Sequence, residues 1–385
     1  MVLMYAIIQN DKTFAFNQKS NNLMRHLKAR IKASGPMSVA EYMKEALTNP
    51  IDGYYMKRDV FGKDGDFITS PEVSQIFGES IGIWCLNEWM QCGSPSTVQL
   101  VELGPGRGTL SDDILRVFSQ FQKMKDVVSV HLVEVSEKLS EIQEEKLKSQ
   151  DSQTITETQP QTDETVSHYK HCKSKYGPNV YWYKQLADIP RKFSCFVANE
   201  FFDALPIYKF QKADGSWREV LHLSSSDKRD HLEVCPAAGV VIREIADRIS
   251  QDGGTCLIAD YGHDGDKTDT FRGFYKHQLH DVLKDPGRAD LTADVDFSYL
   301  RHMAGDSVSI YGPVTQQQFL YNMGMVVRLK KLLDNAKPEN RKDLVSGFEM
   351  LINPDKMGEK FKFFAMLPKK DKDHIPAGFV PSRAS

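Results

Sequence analysis

Three glycines at alternate positions, Gly104, Gly106 and Gly108, follow the apolar run Val98–Leu103 and precede the helix-like stretch Leu110–Phe121. Glycine there lets the backbone turn tightly and approach a ligand closely, and the helix start adds free N–H groups. A dinucleotide-binding turn spaces its glycines G-x-G-x-x-G, whereas this one reads G-x-G-x-G. A carboxylate, Glu102, stands two residues before the first glycine. It would repel a pyrophosphate and suits a cationic amino-acid or sulfonium ligand. A second acid, Glu134, lies at the end of the strand-like run His131–Val135, 30 residues past Gly104. In a doubly wound sheet, the acid that ends the second strand lies beside the first glycine turn and can accept both hydroxyls of a ribose. Glu137 is close by but falls on the next helix.

A third group, Asn199-Glu200-Phe201-Phe202-Asp203, follows the apolar run Ser194–Ala198. Residues just past the C-terminal end of a parallel strand face the ligand crevice. Glu200 and Asp203 are therefore candidates to face that crevice; the competing reading is that both acids cap the next turn. Asp260 ends the run Thr255–Ala259 and, with Tyr261 and His263, is a candidate for the same crevice or a structural acid at a turn. The pair Phe201-Phe202 reads as packing rather than stacking on a cofactor.

These residues need a frame. Leu23, Leu27 and Ile31 recur at helical spacing, and Gly35-Pro36 stops that helix. Ser38 and Glu41 form a capping box for a second helix, which ends before Asn49-Pro50. Ser70-Pro71 pairs a cap residue with a proline at the first helical position, and Val73, Ile76, Phe77 and Trp84 continue that face. From 98 to 262 strand and helix signals alternate, through Ser136–Lys148, Val180–Tyr183 and the helix face of Val240, Val241, Ile245 and Ile249. Asp214-Gly215, between Ile207–Phe210 and Trp217–Leu223, signals a hairpin. This rhythm predicts an α/β fold with a doubly wound, mostly parallel, Rossmann-like sheet. Phe361–Leu367 is a last strand that could close it.

The expected organisation is a flexible start over 1–20, an N-terminal helical region over 21–97 and a sheet domain over 98–367. Inside that domain, 149–167 holds only two aliphatic residues, Ile155 and Val166, and is expected to be a mobile insertion. Residues 263–350 are expected to form a substrate-side helical insertion, and 368–385 a tail.

The chain of 385 residues carries 49 Lys+Arg against 52 Asp+Glu, a net charge of −3, which argues against a field-driven nucleic-acid or anionic-membrane binder. No apolar run approaches the roughly 18–20 residues of a membrane-spanning helix. The six cysteines form no C-x-x-C pair, and Cys195 and Cys256 lie in apolar runs as core residues. His168-x-x-His171-Cys172 and His277-x-x-His280 lack a second ligand set, so no metal is expected. Residues 1–20 contain Asp11 as their one acid and no arginine, so a matrix-targeting signal is weakly marked.

The run Val101–Leu110 together with Glu134 resembles the class I methyltransferases that use S-adenosylmethionine. Glu102 would balance the sulfonium and Glu134 would hold the ribose. The further motifs Gly65–Glu79, Asn199–Pro206 and Asp260–Asp264 make the chain similar to the MidA family, the mitochondrial complex I assembly-factor methyltransferases and their bacterial relatives, over roughly residues 23–367. Thr268 through Leu300 look most like the animal members. The resemblance implies transfer of a methyl group from S-adenosylmethionine to an arginine, with symmetric dimethylation, on a core iron–sulfur subunit of respiratory complex I in the mitochondrial matrix. It also lays the helix at Ser70 and Pro71 over the cofactor, and with an arginine as acceptor Glu200 is expected to orient its planar, always charged guanidinium through two hydrogen bonds, with Asp203 in support. No nucleic acid or membrane span is expected, and a homodimer stays open. The segment between Leu223 and Leu232 looks shorter than in the family. Two other classes compete. A non-catalytic assembly scaffold would have no physical need of the glycines and both acids. A nicotinamide oxidoreductase wants the other glycine spacing and a neutral residue in place of Glu102.

Overall fold

The computed structural model describes residues 22–57, 59, 69–156, 167–213, 216–218, 231–369 and 374–380. The chain enters through helices α1 (Asn22–Ser34) and α2 (Val39–Thr48), the short α3 (Ser70–Val73) and the long α4 (Gln75–Gln91). Strand β1 (Val98–Leu103) then runs into the glycine turn and α5 (Thr109–Phe118). After α6 (Gln122–Val127) come β2 (Val128–Val133), α7 (Glu137–Leu147), β3 (Ile155–Thr156), β4 (Lys170–Lys173), β5 (Asn179–Tyr183) and β6 (Ser194–Asn199). A small antiparallel sheet of β7 (Tyr208–Ala213), β8 (Ser216–Arg218) and β9 (His231–Val234) precedes α8 (Pro236–Asp252) and β10 (Gly254–His263). A second small sheet, β11 (Arg272–Tyr275), β12 (Gln278–His280) and β13 (Asp290–Thr292), is followed by β14 (Val295–Asp296), which pairs with β10. The last elements are α9 (Phe297–Ala304), β15 (Val308–Thr315), α10 (Gln316–Asn322), α11 (Met325–Asn335), α12 (Pro338–Ile352) and β16 (Phe361–Pro368).

The main sheet has the order β15-β16-β10-β6-β1-β2-β5-β4-β3. Its five central strands, β10, β6, β1, β2 and β5, are parallel, and both flanks are antiparallel. This is the expected doubly wound, Rossmann-like architecture. All six residues of β1 are buried, as befits a parallel strand covered on both faces. Alternation along β1 splits its side chains: Leu100 joins the core beneath α4 and α5, while Val101 and Leu103 join the core beneath α8 and α9. Gly78 on α4 lets α5 come close, since a Cβ there would meet the Asp113 Cβ at 2.5 Å.

A third core joins Leu27, Tyr42, Met43 and Leu47 of the N-terminal helices to Ile207, Leu291 and Ala293. The Tyr42 hydroxyl donates to the Val282 carbonyl at 2.6 Å. The N-terminal region is thus fastened beside β13.

Three sequence expectations change. Ile155 and Thr156, expected within a mobile insertion, pair with His171 and Lys170 as an edge strand; residues 157–166 lie outside the described residues. The stretch 263–350, expected to be helical, also carries β11 to β15, mostly strands of two to four residues that leave no long alternating pattern. The expected tail is packed over 374–380, where Phe379 meets Phe319 edge-on and the Gly378 carbonyl accepts from Asn322 Nδ2. The strands flanking Asp214-Gly215 do pair, while that turn, the start over 1–20 and most of 223–232 lie outside the described residues.

Candidate active site

The C-terminal ends of the parallel strands open into a cleft of about 1270 Å³. On one side it is bounded by Leu103, Gly104, Gly106, Val133 and Glu134, and on the other by Glu200, Asp203, Tyr261, Asp290 and Asp294. Gly104, Gly106 and Gly108 all have positive φ, at +62°, +53° and +78°. A Cβ on Gly104 would lie 2.8 Å from Phe201, so this turn requires glycine for conformation and for space. Gly108 is the left-handed N-cap of α5 and lies off the cleft.

Glu134 stands just past the end of β2, 6% exposed. The Ser136 N–H donates to its Oε1 at 2.7 Å and Gln143 Nε2 donates to its Oε2 at 2.9 Å. The same Gln143 Nε2 donates to the Gly106 carbonyl at 2.7 Å, and Gln143 Oε1 accepts from Trp182. One amide on α7 therefore fixes the glycine turn against the acid. Burial pushes the Glu134 carboxyl up to about 7 despite these donors. Sequence reading missed Gln143. Its signal was a polar residue in the stripe of Leu139, Gln143 and Leu147, the buried face of a charged helix.

Glu102 needs correction. It shares the face of Leu100, turned toward α5, and its Oε2 accepts from the Ser111 hydroxyl. It is 2% exposed and does not line the cleft. The alternation that sends Leu103 to the cleft sends Glu102 the other way, and its bond to Ser111 ties β1 to α5. Burial raises its carboxyl to about 7.

Glu200 follows β6 in the left-handed region, φ +50°, which is unusual for a residue with a side chain. Its Oε1 accepts from the Ser70 N–H at 3.2 Å and from Asn199 Nδ2 at 3.3 Å. Burial, then the nearby Asp203 charge, push its carboxyl up to about 8. Asp203 accepts from the Thr292 hydroxyl at 2.8 Å, and burial raises it to about 6. Asp294 is matched by Lys267 at 2.6 Å and Arg272 at 2.7 Å.

Asp260 also needs correction. Its Oδ2 accepts from the N–H groups of Phe201 at 3.1 Å and Phe202 at 2.9 Å, and its Oδ1 from Tyr261 N–H at 2.9 Å. Both oxygens serve its own loop and the turn that carries Glu200, so it is a positioning residue that does not reach the cleft. Burial, with Asp203 and Glu200 close by, raises it well above the usual range. Ser70 and Pro71 are buried and off the cleft, which Thr69 lines instead. Ser70 serves Glu200, and Glu72 bonds to Thr109 at the start of α5.

A ribonucleoside with a charged tail suits these residues: a glycine turn without side chains, a buried acid beside it and an acid-rich far wall. A family model described as "Putative S-adenosyl-L-methionine-dependent methyltransferase" matches residues 80–230 and 222–314. The chain belongs to this methyltransferase family. Its cofactor is S-adenosylmethionine, and the resemblance to the MidA family stands. The methyltransferase is 50% identical to "Protein arginine methyltransferase NDUFAF7, mitochondrial" of Danio rerio over 95% of this chain and 91% of that protein. The protein of that name from Homo sapiens is 52% identical over 90% and 83%, and a Drosophila melanogaster homologue is 47% identical over 90% and 85%. The expected mitochondrial location agrees with these names. A Burkholderia thailandensis protein, solved with S-adenosyl-homocysteine bound, aligns at a TM-score of 0.70 and 21% identity, over 93% of this chain and 94% of that one; it shares the fold. No helix among the described residues is long and apolar enough to cross a membrane.

Proposed function

We propose that this methyltransferase modifies a protein arginine, with symmetric dimethylation on a core iron–sulfur subunit of mitochondrial complex I as the product. The observation that carries the reading is Glu200: a carboxylate bent into a rare conformation beside the glycine turn, with one oxygen anchored and the other, Oε2, without a hydrogen-bond partner among the described residues. The relatives named as protein arginine methyltransferases support it.

When bound, S-adenosylmethionine supplies an electrophilic methyl group on a sulfonium. Gly104 and Gly106 would let it lie close to the backbone, and Glu134 would accept from the ribose hydroxyls. Glu200 would hold the guanidinium through Oε2, with Asp203 adding negative charge. The guanidino nitrogen would displace the sulfur, which would leave as a neutral thioether with the electron pair of the broken methyl–sulfur bond; the nitrogen loses one proton as its bond to carbon forms, and we assign Glu200 Oε2 as the base that receives it. Alignment and exclusion of water supply much of the rate.

Glu200→Gln tests this reading. It should keep its affinity for S-adenosylmethionine by isothermal titration and lose about 100-fold or more in methylation, in line with removal of a general base. Near-normal methylation removes Glu200 from the mechanism. In cells, an arginine mark on complex I that survives Gly106→Val would point to the assembly scaffold instead.

A further inference from the structure

Two tyrosines line the cleft, and they differ in what their hydroxyls do. The Tyr55 hydroxyl donates to Asp290 Oδ1 at 2.7 Å, across 235 positions of sequence. The Tyr261 hydroxyl has no hydrogen-bond partner among the described residues, and it is not walled off from solvent. Alternation along β10 sets Tyr261 on the face of Leu257 and Ala259, against the core beneath α4 and α5. Its ring lies 3.9 Å from that of Phe361, its pairing partner on β16. With the ring packed there, the hydroxyl is the group Tyr261 presents to the cleft. The sheet order β16-β10-β6-β1 places Glu200, just past β6, between Tyr261 and the glycine turn. Tyr261 therefore stands on the side of Glu200 away from the cofactor.

We propose that the Tyr261 hydroxyl oxygen is a second ligand of the acceptor guanidinium, accepting one N–H while Glu200 Oε2 takes another. The inference rests on the arginine reading and deepens it by naming a residue that orients the acceptor. A guanidinium presents five N–H donors in a planar fork. Glu200 Oε1 is already engaged by the Ser70 N–H and Asn199 Nδ2, so Glu200 offers one unbonded oxygen. One oxygen fixes a point on the fork, and a second acceptor fixes its plane. The two residues are tied together independently of any ligand. The Glu200 N–H donates to the Ala259 carbonyl at 2.9 Å, two residues before Tyr261. Asp260 takes the Tyr261 N–H on Oδ1 and the Phe201 and Phe202 N–H groups on Oδ2, so one carboxylate sets both the end of β10 and the turn that carries Glu200. Burial, with the charges of Glu200, Asp203 and Asp260 nearby, holds the Tyr261 hydroxyl well above its usual range. It stays protonated, and its oxygen adds a contact without a further negative charge.

The test uses the full chain, with the iron–sulfur fraction of complex I from cells lacking this protein as methyl acceptor. Tyr261→Phe keeps the ring on Phe361 and removes only the hydroxyl. It should raise the apparent KM for acceptor about 10-fold or more, the scale of one hydrogen bond to a charged group. The Kd for S-adenosylmethionine should stay within about twofold, which also reports that the variant is folded. A purely structural role would not separate the two constants in this way. The rising limb of kcat/KM should keep its position in pH while the plateau falls. An unchanged acceptor KM overturns the inference, as does a loss of cofactor affinity in step with KM. A limb moved to higher pH overturns it too, because it would show the hydroxyl donating to the Glu200 carboxylate rather than accepting from the guanidinium. A wild-type chain that binds S-adenosylmethionine but methylates no arginine in that fraction removes the arginine reading as well.

Discussion

Glu200 carries two costs at once: a left-handed backbone and a carboxyl pushed up to about 8 by burial and by Asp203. Non-glycine residues in that region cost on the order of 1–3 kcal/mol, and they persist where the surroundings hold them. Asp260 is that support, through the N–H groups that follow Glu200. The raised carboxyl has a kinetic consequence. A guanidinium needs the ionised form, so kcat/KM should climb as pH rises through about 8 in the free enzyme and level off above it. Glu200→Gln should abolish that limb along with most of the rate. The same acids bear on stability without ligand. Glu102 and Glu134 at about 7 and Glu200 at about 8 all lie above the ordinary value of 4.5. The folded state then binds more protons than the unfolded chain between those limits, so their contribution is fullest below about pH 4.5 and is lost as pH rises through 7 to 8. Urea midpoints for the ligand-free protein across that window should show the decline, and a flat profile would contradict it.

Helix α7 is the element that joins the cofactor-side parts, and Gln143 is the contact. Gln143→Leu keeps the bulk but leaves the Gly106 carbonyl and the Trp182 indole N–H without this partner. A cost of about 1–3 kcal/mol and weaker S-adenosylmethionine binding are expected, measurable by thermal melting and titration. This level also shows what the sequence discloses. The parallel strands were legible because burial on both faces writes them as short unbroken apolar runs, and the glycine turn because no side chain fits beside Phe201. The facing of Glu102 was legible too: period-two alternation sets it with Leu100, opposite Leu103, and chemical preference for a nearby acid obscured that. Gln143 was readable as the polar break in the stripe of Leu139 and Leu147. Tyr55 and Asp290 were not. They meet only because the N-terminal helices dock on β13 through Leu47, Tyr54 and Leu291, and no local pattern encodes that meeting.

At the scale of the whole molecule, the C-terminal segment is a structural member. His374 Nε2 lies 2.6 Å from Glu88, which is fully buried on α4, and the Tyr311 hydroxyl donates to the His374 carbonyl at 2.8 Å. Removing residues 374–385 takes away that partner and uncovers Phe319 and Tyr311, so a loss of about 1–3 kcal/mol is expected, the scale of a buried polar atom left without its hydrogen-bond partner. Chemical denaturation of the shortened chain would measure it, and an unchanged midpoint would show that Glu88 is content with Asn87, whose Nδ2 donates to it at 2.9 Å. The position of β16 extends the point. It is the last strand among the described residues, yet it is wedged between β10 and β15. As the polypeptide leaves the ribosome, or threads in order through a translocation channel, β10 and β15 wait with bare edges until Phe361 onward arrives. Such edges are open to mispairing, so the nascent chain should lean on chaperones until β16 has emerged, and stop codons ahead of Phe361 should yield aggregates rather than weakened enzyme.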